Sequence, residues 1–414
     1  MILRCRCVAT VPAVLLIWLG AAAVDGRADD WPQWRGVNRD GRSAEAGLAK
    51  PWPAGGPARE WKAEGIGAGY SSVTVSQGRV FTLGQRDNTT YVFAIDAASG
   101  KKLWETPAGG SFREQRGDGP RGVPTVEGEK LWAVTADGKL VCLETKTGKQ
   151  IWTADFVKQF GGEVPHWGYS ESPLVDGDRV IVTPGGRGHS VVALDKNTGK
   201  VIWRSQSEPA AYSSPVLATV GAIRLVVVFT AEGVMGLRAD NGELLWRYGK
   251  VANNVANVAT PLVSGNLVFV SSDYGTGCAL LKLEPAGAGG VKATEVYFNR
   301  EMKNHHASSI LHNGYLYGFS SSILTAMDLK DGAVVWRDRA TGKGSLIFAD
   351  GHLILVGENG TVALVQVGTG AYKEVSRFTI QTSGRPVWAP PVVANGRLYI
   401  RDQETLHAFK VGSQ

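Results

Sequence analysis

Long hydrophobic runs and cysteines are scarce in this chain, and both shortages narrow what it can be. The one extended apolar stretch, Val8 to Ala23, follows Arg4 and Arg6, too short and too near the start for a membrane span but shaped like a secretory signal peptide. Small residues put its cleavage after Ala23 or Ala28, so residues 1–28 are assigned to the leader. No later segment is apolar enough for a transmembrane anchor, which predicts an exported protein, periplasmic or extracellular. Cys5 and Cys7 lie ahead of the apolar core, the wrong place for a lipidated cysteine. Only Cys142 and Cys278 follow it, without Cys-x-x-Cys, haem-attachment or zinc spacing, so they read as two buried thiols.

Charge of one sign is thin as well. The leader carries three arginines and one aspartate, so its loss takes the formal net charge from +6 to +4. The remaining Lys and Arg are spread through turns, which predicts no nucleic-acid partner. Nucleophile-elbow motifs are missing too, and the acids mostly belong to turns, which disfavours hydrolytic or transferase chemistry. What the chain does have is 53 glycines and 13 tryptophans, a composition of many tight turns between aromatic-packed strands.

Those residues recur in order. A turn followed by an apolar strand ending in Trp appears at Ser99-Gly100 to Trp104, Thr147-Gly148 to Trp152, Thr198-Gly199 to Trp203, Asn241-Gly242 to Trp246 and Asp331-Gly332 to Trp336. Successive tryptophans are 48, 51 and 43 residues apart, and the gap of 90 before Trp336 hides a degenerate copy near Tyr297 and Phe298. That period suits a propeller blade. Aspartates such as Asp96, Asp195 and Asp328 open the turns, where a carboxylate accepts from turn amides while Gly takes positive φ. The other half of the repeat is a strand, a Gly turn and a second strand. It begins near Ser71, Gly122, Ser172, Ser214, Thr260, Ser308, Gly344 and Ala389, eight copies in all. Four short strands per repeat predict an all-β fold, an eight-bladed β-propeller.

The last copy ends near Phe409, leaving no room for a fourth strand, while Trp61 lies 43 residues before Trp104, at the repeat distance. The strand around Trp61 is therefore expected to complete the closing blade, which removes open edges and ties down both termini. The propeller then spans 58–414. Residues 29–57, with Trp31, Trp34 and Trp52, read as an ordered extension, and Asn38-Arg39-Asp40-Gly41 as a plain turn, lacking the carboxylates of a calcium loop.

The repeated pattern of acidic residue, Thr or Ser, Gly, Lys and Trp resembles the pyrroloquinoline-quinone (PQQ) repeat superfamily over nearly all of the mature chain. That superfamily includes quinoprotein alcohol dehydrogenases and the propeller lipoprotein of the outer-membrane β-barrel assembly machinery. The opening Trp31-Pro32-Gln33-Trp34-Arg35-Gly36 is similar to exported PQQ-like propellers of environmental bacteria.

Segments entering the innermost strands gather at one mouth of a propeller channel. Tyr70, Arg121, Trp167, Tyr169, Tyr212, Asn257, His305, His306, Lys343 and Trp388 are therefore the candidate ligand-binding residues. Aromatic, amide, imidazole and cationic groups around one funnel suit a small polar, anionic or sugar-like ligand. His305 and His306 are adjacent and should face opposite ways on a strand, so no metal site is expected. The insertion 155–166 reads as a lid or as a packing loop. The resemblance also implies an alternative, a PQQ-dependent dehydrogenase with a metal ion and a carboxylate base. Its alcohol-oxidising members carry vicinal cysteines, which this chain lacks. A non-catalytic binding or scaffold propeller, taking a ligand or protein partner at the mouth or blade-face loops, is the expected function, and catalytic residues stay unassigned.

Overall fold

The computed structural model describes residues 30–287 and 289–412; the leader assigned to 1–28 lies outside them. The described chain folds into eight antiparallel four-stranded sheets. Blades 1 to 7 span 74–110, 125–155, 174–205, 216–248, 262–299, 310–338 and 344–379. Blade 8 takes three strands from 392–410 and its outermost strand, Arg59–Ala63, from the other end of the propeller, with Trp61 opposite Ala408. The fold and its closure are those expected from the repeat.

The tryptophan rule has a local cause. Trp61, Trp104, Trp152, Trp203, Trp246 and Trp336 each pair with Ala, Cys or Gly on the neighbouring strand, beside a β-bulge. The small partner leaves room for the indole, and the bulge turns it toward the next blade. There the Nε1 of every one of them but Trp246 donates to a carbonyl, as from Trp61 to Ala97 at 3.0 Å and from Trp203 to Ala239 at 3.1 Å. The turn glycine meets the same ring. A Cβ on Gly100, which has φ +71°, would stand 2.7 Å from the Trp61 indole, so both the backbone and the docked ring require glycine. Burying about 150–250 Å² per indole contributes at most about 4–6 kcal/mol.

Degenerate copies find substitutes. Tyr297 occupies the tryptophan position of blade 5, opposite Leu280 beside the bulge, and a Cβ on Gly332 of the next blade would stand 2.9 Å from its ring. Blade 7 has Ser376 there, opposite Leu364, and Trp52 of the extension packs over its outer strand, 5.6 Å from Phe378 and with its amide bonded to Ser376 Oγ. The buried aliphatics form clusters between consecutive blades, and the largest spans blades 7, 8 and 1 across the closure. Insertion 155–166 opens with a short helix, Phe156–Phe160, capped by Asp155, whose two phenylalanines are buried, Phe156 edge-on to Tyr169 at 5.2 Å. It packs against the propeller.

The extension does more than turn. Residues 31–43 hydrogen-bond to every blade: Trp31 with Val75, Pro32 with Val126, Arg39 with Ser172, Pro173 and Pro215, Trp34 with Thr260, Arg35 with Ser308 and Ser309, Gly41 with Phe348, and Ser43 with Val393. Such a contact set is possible only on the propeller axis, so this segment plugs the channel. The Asn38–Gly41 turn, expected to be plain, presents Arg39 as the centre of that plug. All Arg39 donors are used, with Gln33 Oε1 and Thr125 Oγ1 completing the set. Burial lowers its pKa to about 9, which still leaves it charged at neutral pH.

Candidate functional site

Each blade enters its innermost strand through a short irregular segment, and these segments are laced together by hydroxyls. Ser172 Oγ accepts from Val123 N, Ser214 Oγ from Ser172 N and Ser308 Oγ from Thr260 N, all at 2.9 Å and all from one blade to the next. This is the physical role of Ser172, Ser214 and Ser308 among the residues that mark the strand starts. It holds the residues just ahead of them in a fixed ring.

Inside that ring lies a cavity of about 380 Å³, within the usual range of small-molecule sites. Tyr70, Arg121, Trp167, Tyr212, His305, His306, Lys343 and Trp388 line it. The other two candidates belong to the frame. Tyr169 is buried, its hydroxyl donating to Pro184 O at 2.8 Å, and Asn257 is buried with its amide on the Thr230 and Ala231 carbonyls. Sequence reasoning missed Trp34, Arg116, Tyr274, Ser170 and Ser214 among the lining groups. Trp34 comes from the plug and Tyr274 from a hairpin turn of blade 5, both outside the strand-start rule; the paired indoles of the opening motif were the available signal for Trp34.

The walls are aromatic and cationic. Tyr70 and Trp388 sit 4.8 Å apart, Trp167 and Tyr212 5.5 Å, and Tyr274 and His305 5.3 Å, all with tilted planes. Arg121 is held by Glu114 at 2.8 Å and by the Gly117 and Gly119 carbonyls. Lys343 pairs with Glu358 at 3.2 Å, and Glu358 also accepts from Trp388 Nε1 at 2.5 Å. No Asp or Glu is itself among the lining residues, whereas Arg116, Arg121 and Lys343 are. The surface offered to a ligand is therefore positive.

His305 and His306 do not face opposite ways. The backbone bends at 305–307 instead of continuing as strand, and both rings reach the cavity, 5.8 Å apart. Tyr274 Oη lies 3.1 Å from His305 Nε2, but His305 Nδ1 and both ring nitrogens of His306 are buried without a hydrogen-bond partner among the described residues. Desolvation, then the nearby Lys343 charge, holds both imidazoles below the usual histidine range, His306 well below. A neutral His306 thus presents one donor and one acceptor, both unmet.

Among the described residues, no group of three His, Cys, Asp or Glu is arranged to hold a metal ion. The donor set does not fit the quinone-and-metal centre of an alcohol oxidase, since Glu114 and Glu358 stand behind the cations they neutralise and no carboxylate faces the cavity. Cys142 and Cys278 are buried in blades 2 and 5, and burial lifts both thiols to about 12.

A family model described as outer membrane protein assembly factor BamB matches residues 49–138 and 88–338. The chain is 22% identical over 288 residues to the outer membrane protein assembly factor BamB of Yersinia pestis, a match covering 68% of this chain and 71% of that one. It is 34% identical over 125 residues to the quinohemoprotein alcohol dehydrogenase ADH IIB of Pseudomonas putida, covering 28% of this chain but only 18% of the dehydrogenase. The crystal structure of BamB from Moraxella catarrhalis shares the fold, with a TM-score of 0.63 at 14% identity over 88% of this chain and 99% of that one. With the model reaching from residue 49 to residue 338, the chain belongs to the family of PQQ-repeat β-propellers described as outer membrane protein assembly factor BamB.

Proposed function

We propose that this protein is an exported, non-catalytic binding propeller whose plugged channel mouth holds a small polar ligand, leaving the blade-face loops to a protein partner. The observation that carries the reading is the cavity itself. It has aromatic and cationic walls backed by a neutral His306 with two buried, unmet nitrogens, yet no carboxylate faces inward to serve as base or metal ligand. Such a lining can hold and orient a ligand without supplying proton abstraction from an alcohol. The relatives point the same way by proportion, since the match to the assembly factor covers most of both chains and that to the dehydrogenase a small part. Among the described residues no helix is long and apolar enough to cross a membrane. Export removes residues 1–23 or 1–28, and intact-mass measurement on the secreted protein checks this; a retained Met1 overturns it.

The function is tested on the mature protein by following thermal stability and tryptophan fluorescence across a panel of sugars, sugar acids and carboxylates. A parallel arm adds PQQ and calcium and follows reduction of an artificial electron acceptor over alcohols and sugars. The expected result is saturable binding without turnover. Turnover above a cofactor-only control, lost in Lys343→Ala, overturns the binding reading in favour of a PQQ-dependent dehydrogenase.

A further inference from the structure

We infer that the mouth cavity is built for an acidic sugar, a pyranose ring carrying a carboxylate, rather than for a neutral sugar or a flat aromatic acid. This rests on the binding reading above and names its ligand class. Three independent features of the lining lead to it.

The first is the shape of the aromatic surface. Trp388 meets Tyr70 at 37° and His306 at 36°, and Trp167 meets Tyr212 at 55°. None of these pairs is parallel, so they do not form the slot that a planar ring system fills. Tilted plates on several blades suit a puckered ring, which presents C–H edges in more than one direction to aromatic faces.

The second is the hydrogen-bonding inventory. Ser170 and Ser214 set hydroxyls in the lining, and buried just behind it the ring nitrogens of His306 hold one unmet donor and one unmet acceptor and His305 Nδ1 is a third unmet site. Sugar hydroxyls both donate and accept, and can satisfy such a mixed set at neighbouring positions. A flat aromatic acid brings acceptors only at its periphery and leaves the imidazole acceptor unpaired, a buried polar group with no partner.

The third is charge. Arg121 and Lys343 are each tied to a glutamate, but the Arg116 guanidinium makes no hydrogen bond or ion pair among the described residues while lining the cavity. Its field is left for a ligand anion, and its planar fork matches a carboxylate in two parallel bonds. A neutral sugar makes no use of it. The volume of about 380 Å³ accommodates one or two sugar rings.

The test is calorimetric titration of the mature protein with an aldobiouronic acid, a glucuronate joined to one neutral sugar. Its carboxyl-reduced counterpart and naphthalene-2,6-dicarboxylate serve as comparison probes. Binding of the aldobiouronate is expected, at least tenfold weaker for the reduced form and weakened by salt. Arg116→Gln should remove most of the preference for the acid over its reduced form. His306→Phe, which keeps a ring but no nitrogen, should weaken both sugars at least tenfold while thermal stability stays near that of the parent. Equal binding of the reduced form overturns the acidic part of the inference, and unchanged affinity in both variants overturns its placement. If the naphthalene acid binds and the aldobiouronate does not, the ligand class is wrong but the binding reading stands. If no probe and no member of the wider panel binds, both fall.

Discussion

Replacing Arg39 with methionine keeps most of its length and volume but withdraws every donor at the centre of the plug. The carbonyls of Ser172 and Pro215 have no other hydrogen-bond partner among the described residues, while that of Pro173 keeps Thr125 Oγ1 at 2.6 Å. Two buried carbonyls are therefore orphaned, at about 1–3 kcal/mol each. Part of this is returned because a desolvated charge is no longer buried. The net expected loss is about 2–4 kcal/mol. Urea unfolding followed by tryptophan fluorescence reads it as a lowered midpoint at unchanged slope. Arg39→Lys should fall between the two, since an ammonium keeps the charge but cannot reproduce the planar fork across two blades. A methionine variant within about 0.5 kcal/mol of the parent, the range of an ordinary surface change, refutes the view that this arginine locks the channel.

Glu171, buried and bonded through Thr183, has its pKa raised to about 7 by desolvation against an ordinary 4.5. The fold therefore favours its protonated form. That contribution is complete below about pH 4.5 and lost as pH rises through 7, on the order of 3 kcal/mol; comparison with Glu171→Gln in urea at pH 5 and pH 8 reads it, and parallel pH profiles speak against it. Trp203→Ala should lower stability by about 3–5 kcal/mol through loss of the blade 3 to blade 4 docking, whereas Ile202→Ala next door, 44% exposed, should stay within about 0.5 kcal/mol; equal thermal shifts count against the docking account. Deleting residues 30–63 should expose the edge of the Thr405–Lys410 strand and yield an associating species on size-exclusion chromatography, and a monomer of unchanged stability contradicts the closure argument.

The periodic part of this molecule was legible from its residues alone. A glycine that must take positive φ beneath an indole, a small residue opposite each Trp, and a Ser or Thr at five of the eight strand entries are local requirements, so they repeat visibly and count the blades. Closure by the strand around Trp61 followed from spacing. Strand-start reasoning brought eight of its ten candidates to the cavity, because the topology leaves those segments only one place to converge. It did not separate Tyr169 and Asn257, whose polar ends turn back to Pro184, Thr230 and Ala231, since which side of a loop a residue faces depends on the neighbouring blade.

Whatever does not repeat was decided by tertiary structure. The bend that brings His305 and His306 to one cavity, the indole of Trp52 standing in where blade 7 carries Ser376, and the unpaired guanidinium of Arg116 have no sequence period to announce them. Above all, the segment 31–43 looks like a short tether in sequence. Only with the ring closed does it face all eight blades, and only there do its buried arginines find carbonyls enough to stay charged, because hydrogen-bond partners for a channel plug come from residues up to 350 positions away.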